Sequence, residues 1–510
     1  MPFAQIAHPD GRIELAPGVT LSDTALVNED LAPTAIAKRT WTTYNYAALW
    51  ISMAHCIPTY MMASGLIAAG MSWWQALVTI AIGNAIVLVP ILANSHPGTK
   101  YGIPFPVFAR ASYGVFGANV PAVMRAIVAC GWFGIQSWIG GQALHTFFRS
   151  LSPAFPHLLG AAKIGDHLPT EWLTFLVFWG INIVIIYRGM DLLRKVENWA
   201  APYVLVMTLA LVVWAVTKAH GLGRVMHDAG KFPTLGAFWP VFVPSVTAMI
   251  GFWATLSLNM PDFTRFGRSQ KEQAVGQVVA LPTTMTVFAA MGVVITSASA
   301  EIYRNADGSP IWDPVELVGH FPSRVVVAIA MFTVVVATLS VNIAANVVSP
   351  ANDFANLAPG KISFRTGGLI TGTIGVAMMP WKLLADPNGY IFAWLLGYSG
   401  GLGSIAGVLV CDYWFIRRGG LILADLYRRE GEYTYVRGTN WAAIAATVLG
   451  CFLAWIGLLV PAVRVLYDYA WFVGAFGAAG TYAVLMAAGR ERAARRAELT
   501  TGVVETRARE

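Results

Sequence analysis

The sequence predicts an all-α integral membrane protein with about twelve transmembrane helices. Three observations predict it. Hydrophobic residues make up 56% of the 510-residue chain and charged residues only 12%, whereas soluble domains carry about 25% charged residues. Apolar runs of about 20 residues, enough to cross a bilayer core, recur along the chain. Lys and Arg collect in alternate connections between these runs, as in a polytopic protein whose cytoplasmic loops are basic. The net charge of +7 follows from those loops and calls for no nucleic-acid partner.

Met1 to Arg39 is a polar leader without a signal-peptide core run, expected to be cytoplasmic and partly disordered. The transporter domain is expected over 40–489 and a cytoplasmic tail over 490–510. Within the domain, the first spans are expected at about Tyr44 to Leu66, Trp73 to Ala93, Val120 to Phe148, Trp172 to Tyr187 and Ala200 to Thr217. The sixth to eighth cover about Phe238 to Asn259, Gln277 to Ser299 and Val325 to Val348. The last four cover about Gly368 to Met379, Tyr390 to Phe415, Trp441 to Val460 and Leu466 to Ala488. Lys38, Arg39, Lys100, Arg110, Arg188, Arg194, Lys195, Arg265, Arg268, Lys361, Arg365, Arg417 and Arg418 fall on one side. Glu301, Asp307, Asp313 and Glu316 fall on the other. This pattern puts both termini in the cytoplasm of a multi-pass cell-membrane protein. Cys56, Cys130, Cys411 and Cys451 have no metal-binding spacing and read as reduced packing residues.

Two spans look interrupted. The first contains His55-Cys56-Ile57-Pro58, and a proline deletes a helix donor. The sixth contains Gly251-Phe252-Trp253. Broken helices in corresponding positions of two halves mark the midplane binding site of a secondary transporter. An ordinary kink and a packing glycine are the plainer alternative.

The third span carries Trp132 and Gln136 four residues apart, so both lie on one helix face. A tryptophan offers a flat π-surface, and an amide in hydrocarbon must face the bundle interior. Asn342 and Asn346 repeat the spacing on the eighth span, with Ser340 two residues before Asn342. Each amide is either an interhelical hydrogen-bonding residue or a ligand for a substrate. Read as ligands, Gln136 and Asn346 bond the edge of a flat polar ring while Trp132 and Trp253 stack on its faces. A nucleobase, hydantoin or ureide has that shape. The spans hold no carboxylate pair, Cys-His nucleophile or metal cluster, which disfavours an enzyme.

At these residues the chain resembles the nucleobase:cation symporter-1 family, and within it the allantoin and plant-type branch. The matching stretches are Asn28 to Pro33, Gly98 to Val107, Trp132 to Gly141, Trp253 to Phe266, Asn342 to Pro350, and Asp412-Tyr413-Trp414 with Asp425-Leu426-Tyr427. The resemblance implies a leucine-transporter-like fold, with two inverted repeats of five spans and two further helices, working by alternating access. It implies a substrate site at Trp132, Gln136, Trp253 and Asn346. Cys56 stands where relatives place an amide. It implies a sodium site built from the carbonyls of Ser52, His55 and Ala337 and from two hydroxyls. Ser340 keeps one hydroxyl, and Val341 replaces the other. An apolar side chain cannot ligate a hard cation, so the coupling cation is expected to be H⁺ or Na⁺, with H⁺ favoured. The expected function is cation-coupled import of a nucleobase or ureide, uracil or allantoin foremost, by a monomer in the lipid bilayer without a cofactor. The alternatives are hydantoin, cytosine or purine as substrate, or a membrane sensor that does not transport.

Overall fold

The computed structural model describes residues 5–188, 190–304, 308, 311, 313–384 and 393–507. The side chains of 190–201 and 490–507 lie outside the description. The expected charges at Arg194, Lys195 and Asp307 and the expected start of the tenth span at Tyr390 therefore fall outside it.

The chain is helical almost throughout. In order, the helices are α1 (Thr43–Ala54), α2 (Ile57–Ala68), α3 (Trp73–Tyr101), α4 (Phe105–Tyr113), α5 (Asn119–Leu151), α6 (Pro169–Arg188), α7 (Met190–Lys218), α8 (Leu235–Phe252), α9 (Leu256–Asn259) and α10 (Pro261–Thr264). There follow α11 (Gln270–Ser299), α12 (Pro314–Gly319), α13 (Arg324–Asn346), α14 (Val348–Leu357), α15 (Phe364–Ala377), α16 (Pro380–Leu383), α17 (Leu396–Val410), α18 (Trp441–Leu459), α19 (Arg464–Asp468) and α20 (Ala470–Arg507). Among the described residues, nine helices are long and apolar enough to cross a membrane, and α1 with α2 makes a tenth, bent by 57° at its break. The apolar stretch Pro202–Lys218 of α7 is shorter, and α15 has only 14 residues. With these two, all twelve expected segments are helices.

The ends of the helices follow from local chemistry. Ser72 caps α3 by accepting from the Gln75 amide, and the Gln75 side chain reaches back to the Ser72 amide. Gly102 ends α3 with a φ of 71°, a left-handed turn that favours glycine. Ser323 caps α13 in the same way as Ser72. The outward faces of α3, α11, α18 and α20 expose large apolar side chains such as Val89, Val279, Phe452 and Val484. In a membrane protein these face lipid. The most buried of the long apolar helices is α5. It packs on α13, α14 and α15, and it carries Trp132 and Gln136 into the middle of the bundle.

The leader differs from expectation. It is folded onto the membrane domain rather than partly disordered. Gln5–Ala7 (β1) pairs antiparallel with Ile13–Leu15 (β2). The buried Arg39 guanidinium donates to the carbonyls of Ile13, Thr34 and Tyr101. A guanidinium donates to several carbonyls at once, so one arginine fastens the hairpin, the leader and the end of α3 together. Its burial lowers the Arg39 pKa to about 10. A polar composition hid this, because the leader is held by hydrogen bonds to backbone and by a few scattered apolar anchors, Ile13, Leu26 and Leu31, that form no continuous run.

Candidate functional site

Two helix breaks face each other at the centre of the bundle. After Ala54, His55 (φ −83°, ψ 64°) and Cys56 (φ −138°, ψ 157°) leave the helical region. The Cys56 amide turns to the Ala54 carbonyl at 3.0 Å, so the Ser52 carbonyl loses its helical donor. Pro58 sits in the first turn of α2, where its missing N–H removes no helical bond. The proline thus starts the second half rather than kinking one continuous helix. The second break follows Phe252. The Trp253 amide bonds the Ile250 carbonyl at 3.2 Å and the Ala254 amide bonds Gly251 at 3.0 Å, a tight turn before α9. At Gly251 any Cβ would collide with the Leu395 carbonyl of the tenth span, so only glycine allows this approach.

Between the breaks lies a cavity that brings together all five residues expected to bind substrate. Trp132 and Gln136 reach it from α5, Cys56 and Trp253 from the breaks, and Asn346 from α13. Met53, Phe252, Leu256 and Val341 complete its apolar wall. The space open to the centre of a water-sized sphere is only about 20 Å³, room for about one water molecule. A ring enters only after the walls part.

The polar groups of this cavity are unevenly satisfied. The Cys56 thiol lies 3.3 Å from the Thr59 hydroxyl, whereas Gln136 Oε1 is buried without a protein partner. Trp253 Nε1 is also buried without one, and its ring meets Trp50 edge to face at 5.1 Å. Asn346 Nδ2 donates to Asn342 Oδ1 at 3.1 Å. Asn342 in turn donates to Asn182 Oδ1 and Ser137 Oγ, each at 3.2 Å. So Asn342 is interhelical glue, and it fixes the Asn346 amide through one N–H. A buried acceptor left unbonded costs about 1–3 kcal/mol. Here an acceptor and a donor without protein partners belong to two residues that line one apolar-walled cavity.

A family model described as permease for cytosine/purines, uracil, thiamine and allantoin matches residues 33–474. The chain is 44% identical over 464 residues to the allantoin permease of Bacillus subtilis (strain 168), covering 90% of this chain and 93% of that one. The chain belongs to the nucleobase:cation symporter-1 family. It is also 41% identical over 436 residues to the purine-uracil permease NCS1 of Arabidopsis thaliana, covering 84% of this chain and 71% of that one. Among solved structures it is similar to Mhp1, a nucleobase-cation-symport-1 family transporter in a closed conformation with bromovinylhydantoin bound. The TM-score is 0.70 at 26% identity, over 90% of this chain and 94% of Mhp1. The likeness to MhsT, solved with L-phenylalanine, is one of fold alone: TM-score 0.53 at 14% identity, over 83% of this chain and 100% of MhsT. This symporter therefore has the helical transporter fold expected of it, and its relatives are permeases, not enzymes.

The residues expected to bind the symporter's cation lie beside the cavity. Ser52 Oγ and Ser340 Oγ stand 3.4 Å apart across α1 and α13. Ala337 lies a turn before Ser340 and is half-buried. Val341 turns its side chain into the cavity wall. The His55 side chain points elsewhere, with Nε2 2.9 Å from the Thr208 hydroxyl of α7 and its ring 3.9 Å from that of Phe288. It is a packed histidine, turned away from Ser52 and Ser340 toward α7 and α11. No group of three or more His, Cys, Asp or Glu suited to a metal occurs among the described residues.

Two features of the symporter escaped the sequence. Tyr398 of α17 accepts from Trp132 Nε1 at 3.1 Å and donates to the Gly251 carbonyl at 2.8 Å. One hydroxyl thus ties the third span, the broken sixth and the tenth. One tyrosine among 17 carries no spacing signal. The second is a buried ion pair, Arg125 to Asp353 at 3.3 Å, with Asp262 nearby accepting from the Phe105 amide at 3.0 Å. Asp262 and Asp353 lie in α10 and α14, beyond the apolar runs of the sixth and eighth spans, so counting runs placed them in loops.

Proposed function

We propose that this permease imports a flat ureide or nucleobase, allantoin first and uracil second, in symport with a cation. In this reading Trp132 and Trp253 flank the ring, and Gln136 and Asn346 bond its edge. Cys56 shapes the side where an amide is usual and so tunes preference within the family. One observation carries the reading: Gln136 and Trp253, which line the cavity together with Asn346, each carry a buried polar atom, Oε1 and Nε1, without a protein partner. A ring that alternates N–H and C=O supplies the missing partners. The small size of the cavity suits a closed conformation within alternating access, and a ligand shifts that cycle only by binding one state better. Allantoin heads the order because the Bacillus subtilis allantoin permease is 44% identical.

For the cation we propose a proton. Ser340 offers one hydroxyl, but the neighbouring Val341 offers no oxygen. We further propose that both termini are cytoplasmic and that one chain is sufficient for transport. Initial uptake of labelled allantoin, uracil, hydantoin, cytosine and purines by a host lacking its own permeases tests the reading, with proton and sodium gradients imposed separately. Saturable uptake of allantoin or uracil that tracks the proton gradient is the expected result. Binding of these compounds without counterflow would instead mark a sensor.

A further inference from the structure

A second cavity of about 320 Å³ lies away from the substrate site, between α7, α12 and α13. Its walls are hydrocarbon and aromatic: Leu211, Trp214, Val318, Phe321, Ile329 and Val334. Trp214 and Phe321 lie face to tilted face, 4.1 Å between centroids. The two wall hydroxyls are already committed. Thr208 Oγ1 bonds the Val204 carbonyl at 2.9 Å and His55 Nε2 at 2.9 Å. Thr333 Oγ1 bonds the Ile329 carbonyl at 2.8 Å and the Tyr203 hydroxyl at 3.0 Å. A polar ligand would lose its water here and gain little in return. Hydrocarbon suits the site: an engineered cavity of about 150 Å³ lined by Leu, Ile and Phe stays dry and takes up benzene.

The surface around this groove indicates the source of the hydrocarbon. Leu209 and Val213 on α7, and Val326 and Phe332 on α13, are exposed beside it. They continue the apolar belt that a membrane protein presents to lipid. We infer that the groove is a binding site for a phospholipid acyl chain, inserted between α7 and α13 from the surrounding bilayer. A chain seated there touches Thr208, whose hydroxyl holds His55 at the break between α1 and α2. It thereby braces α7 and α13 beside the transport site. This inference rests on membrane embedding and not on the identity of the substrate.

Photo-crosslinking tests it on the full chain in proteoliposomes containing a phosphatidylcholine with a diazirine in one acyl chain. Adducts are mapped by peptide mass spectrometry. The expected result is several-fold more adduct on the groove stretches around Leu211–Trp214 and Ile329–Val334 than on the lipid-facing stretch around Val448–Phe452. Ala330→Trp fills the groove from α13 and Ala210→Phe from α7, and either removes the excess. Both positions reach the lipid-facing surface, so the chain can accept the larger side chains, and size-exclusion profiles check each variant. Should one variant misfold, the other decides. Equal labelling of the groove and Val448–Phe452, or an excess that survives the substitutions, means bulk lipid contact only and overturns the site.

Discussion

At the scale of single residues, recognition and coupling separate. Asn346 is held by Asn342 through one N–H, so the rest of its amide is positioned in advance for a ligand. Asn346→Ala should weaken substrate binding by about 1–3 kcal/mol, the cost of leaving a buried partner unbonded. The half-saturating concentration in uptake assays checks this, and an unchanged value would remove Asn346 from the site. Val341→Ser restores an oxygen beside Ser340. Uptake by that variant should gain dependence on sodium at fixed pH, because oxygen ligands suit hard cations. Comparison of sodium and potassium buffers reads it directly, and wild-type uptake that already follows sodium would contradict the reasoning. The meeting of Trp132, Gln136, Trp253 and Asn346 at one cavity was legible in the sequence, because amides stand out in apolar runs and Trp132 lies one turn from Gln136. Tyr398 was not. Its importance comes from a contact between the third, sixth and tenth spans, which linear spacing does not encode.

At the scale of elements, the two breaks and the close helix contacts set the shape of the site. Gly134 lies between Trp132 and Gln136, and a Cβ there would strike the Gly375 carbonyl of α15. Gly134→Ala should therefore cost about 1–3 kcal/mol through overpacking and shift the Trp132–Gln136 face. Thermal unfolding of the purified protein measures it. Gly480→Ala, inside α20 and with open space around its Cβ, should carry no such cost and stabilise by up to about 1 kcal/mol through helix propensity. The leader is tied down by a surface pair as well, because Arg429 donates to Asp23 at 2.7 and 3.1 Å. Those hydrogen bonds hold the Asp23 carboxyl below its ordinary value. A depressed carboxylate contributes stability above its ordinary value, near pH 4, and loses it as the pH falls through the lower folded value. Protease sensitivity of residues 5–39 should therefore rise on acidification below about pH 4, and less so in Arg429→Gln, where the contribution is already absent. The first break was legible from Pro58 but its cause was not. The proline begins α2, and the turn is made by His55 and Cys56.

At the scale of the whole molecule, the membrane class and all twelve helical segments followed from apolar runs and basic loops, because lipid leaves a chain few other ways to satisfy its backbone. The runs did not reveal how the segments meet. The third span extends to 33 residues, the ninth starts earlier, at Phe364, and still has only 14 residues, and the eighth breaks at Val347 into α13 and α14. The break at Val347 starts α14, which carries Asp353 to Arg125 near the start of α5. Composition also concealed the folded leader, whose hydrogen bonds join β2, α3 and the loop after the tenth span. In the proposed cycle, one cavity between two broken helices binds and carries a flat polar ring. Counterflow of labelled allantoin in proteoliposomes, wild type beside Asn346→Ala, tests it most directly. Saturable counterflow is expected in the wild type, with a raised half-saturating concentration in the variant. Counterflow that is indifferent to Asn346, or none for allantoin, uracil or any related ring, would contradict it.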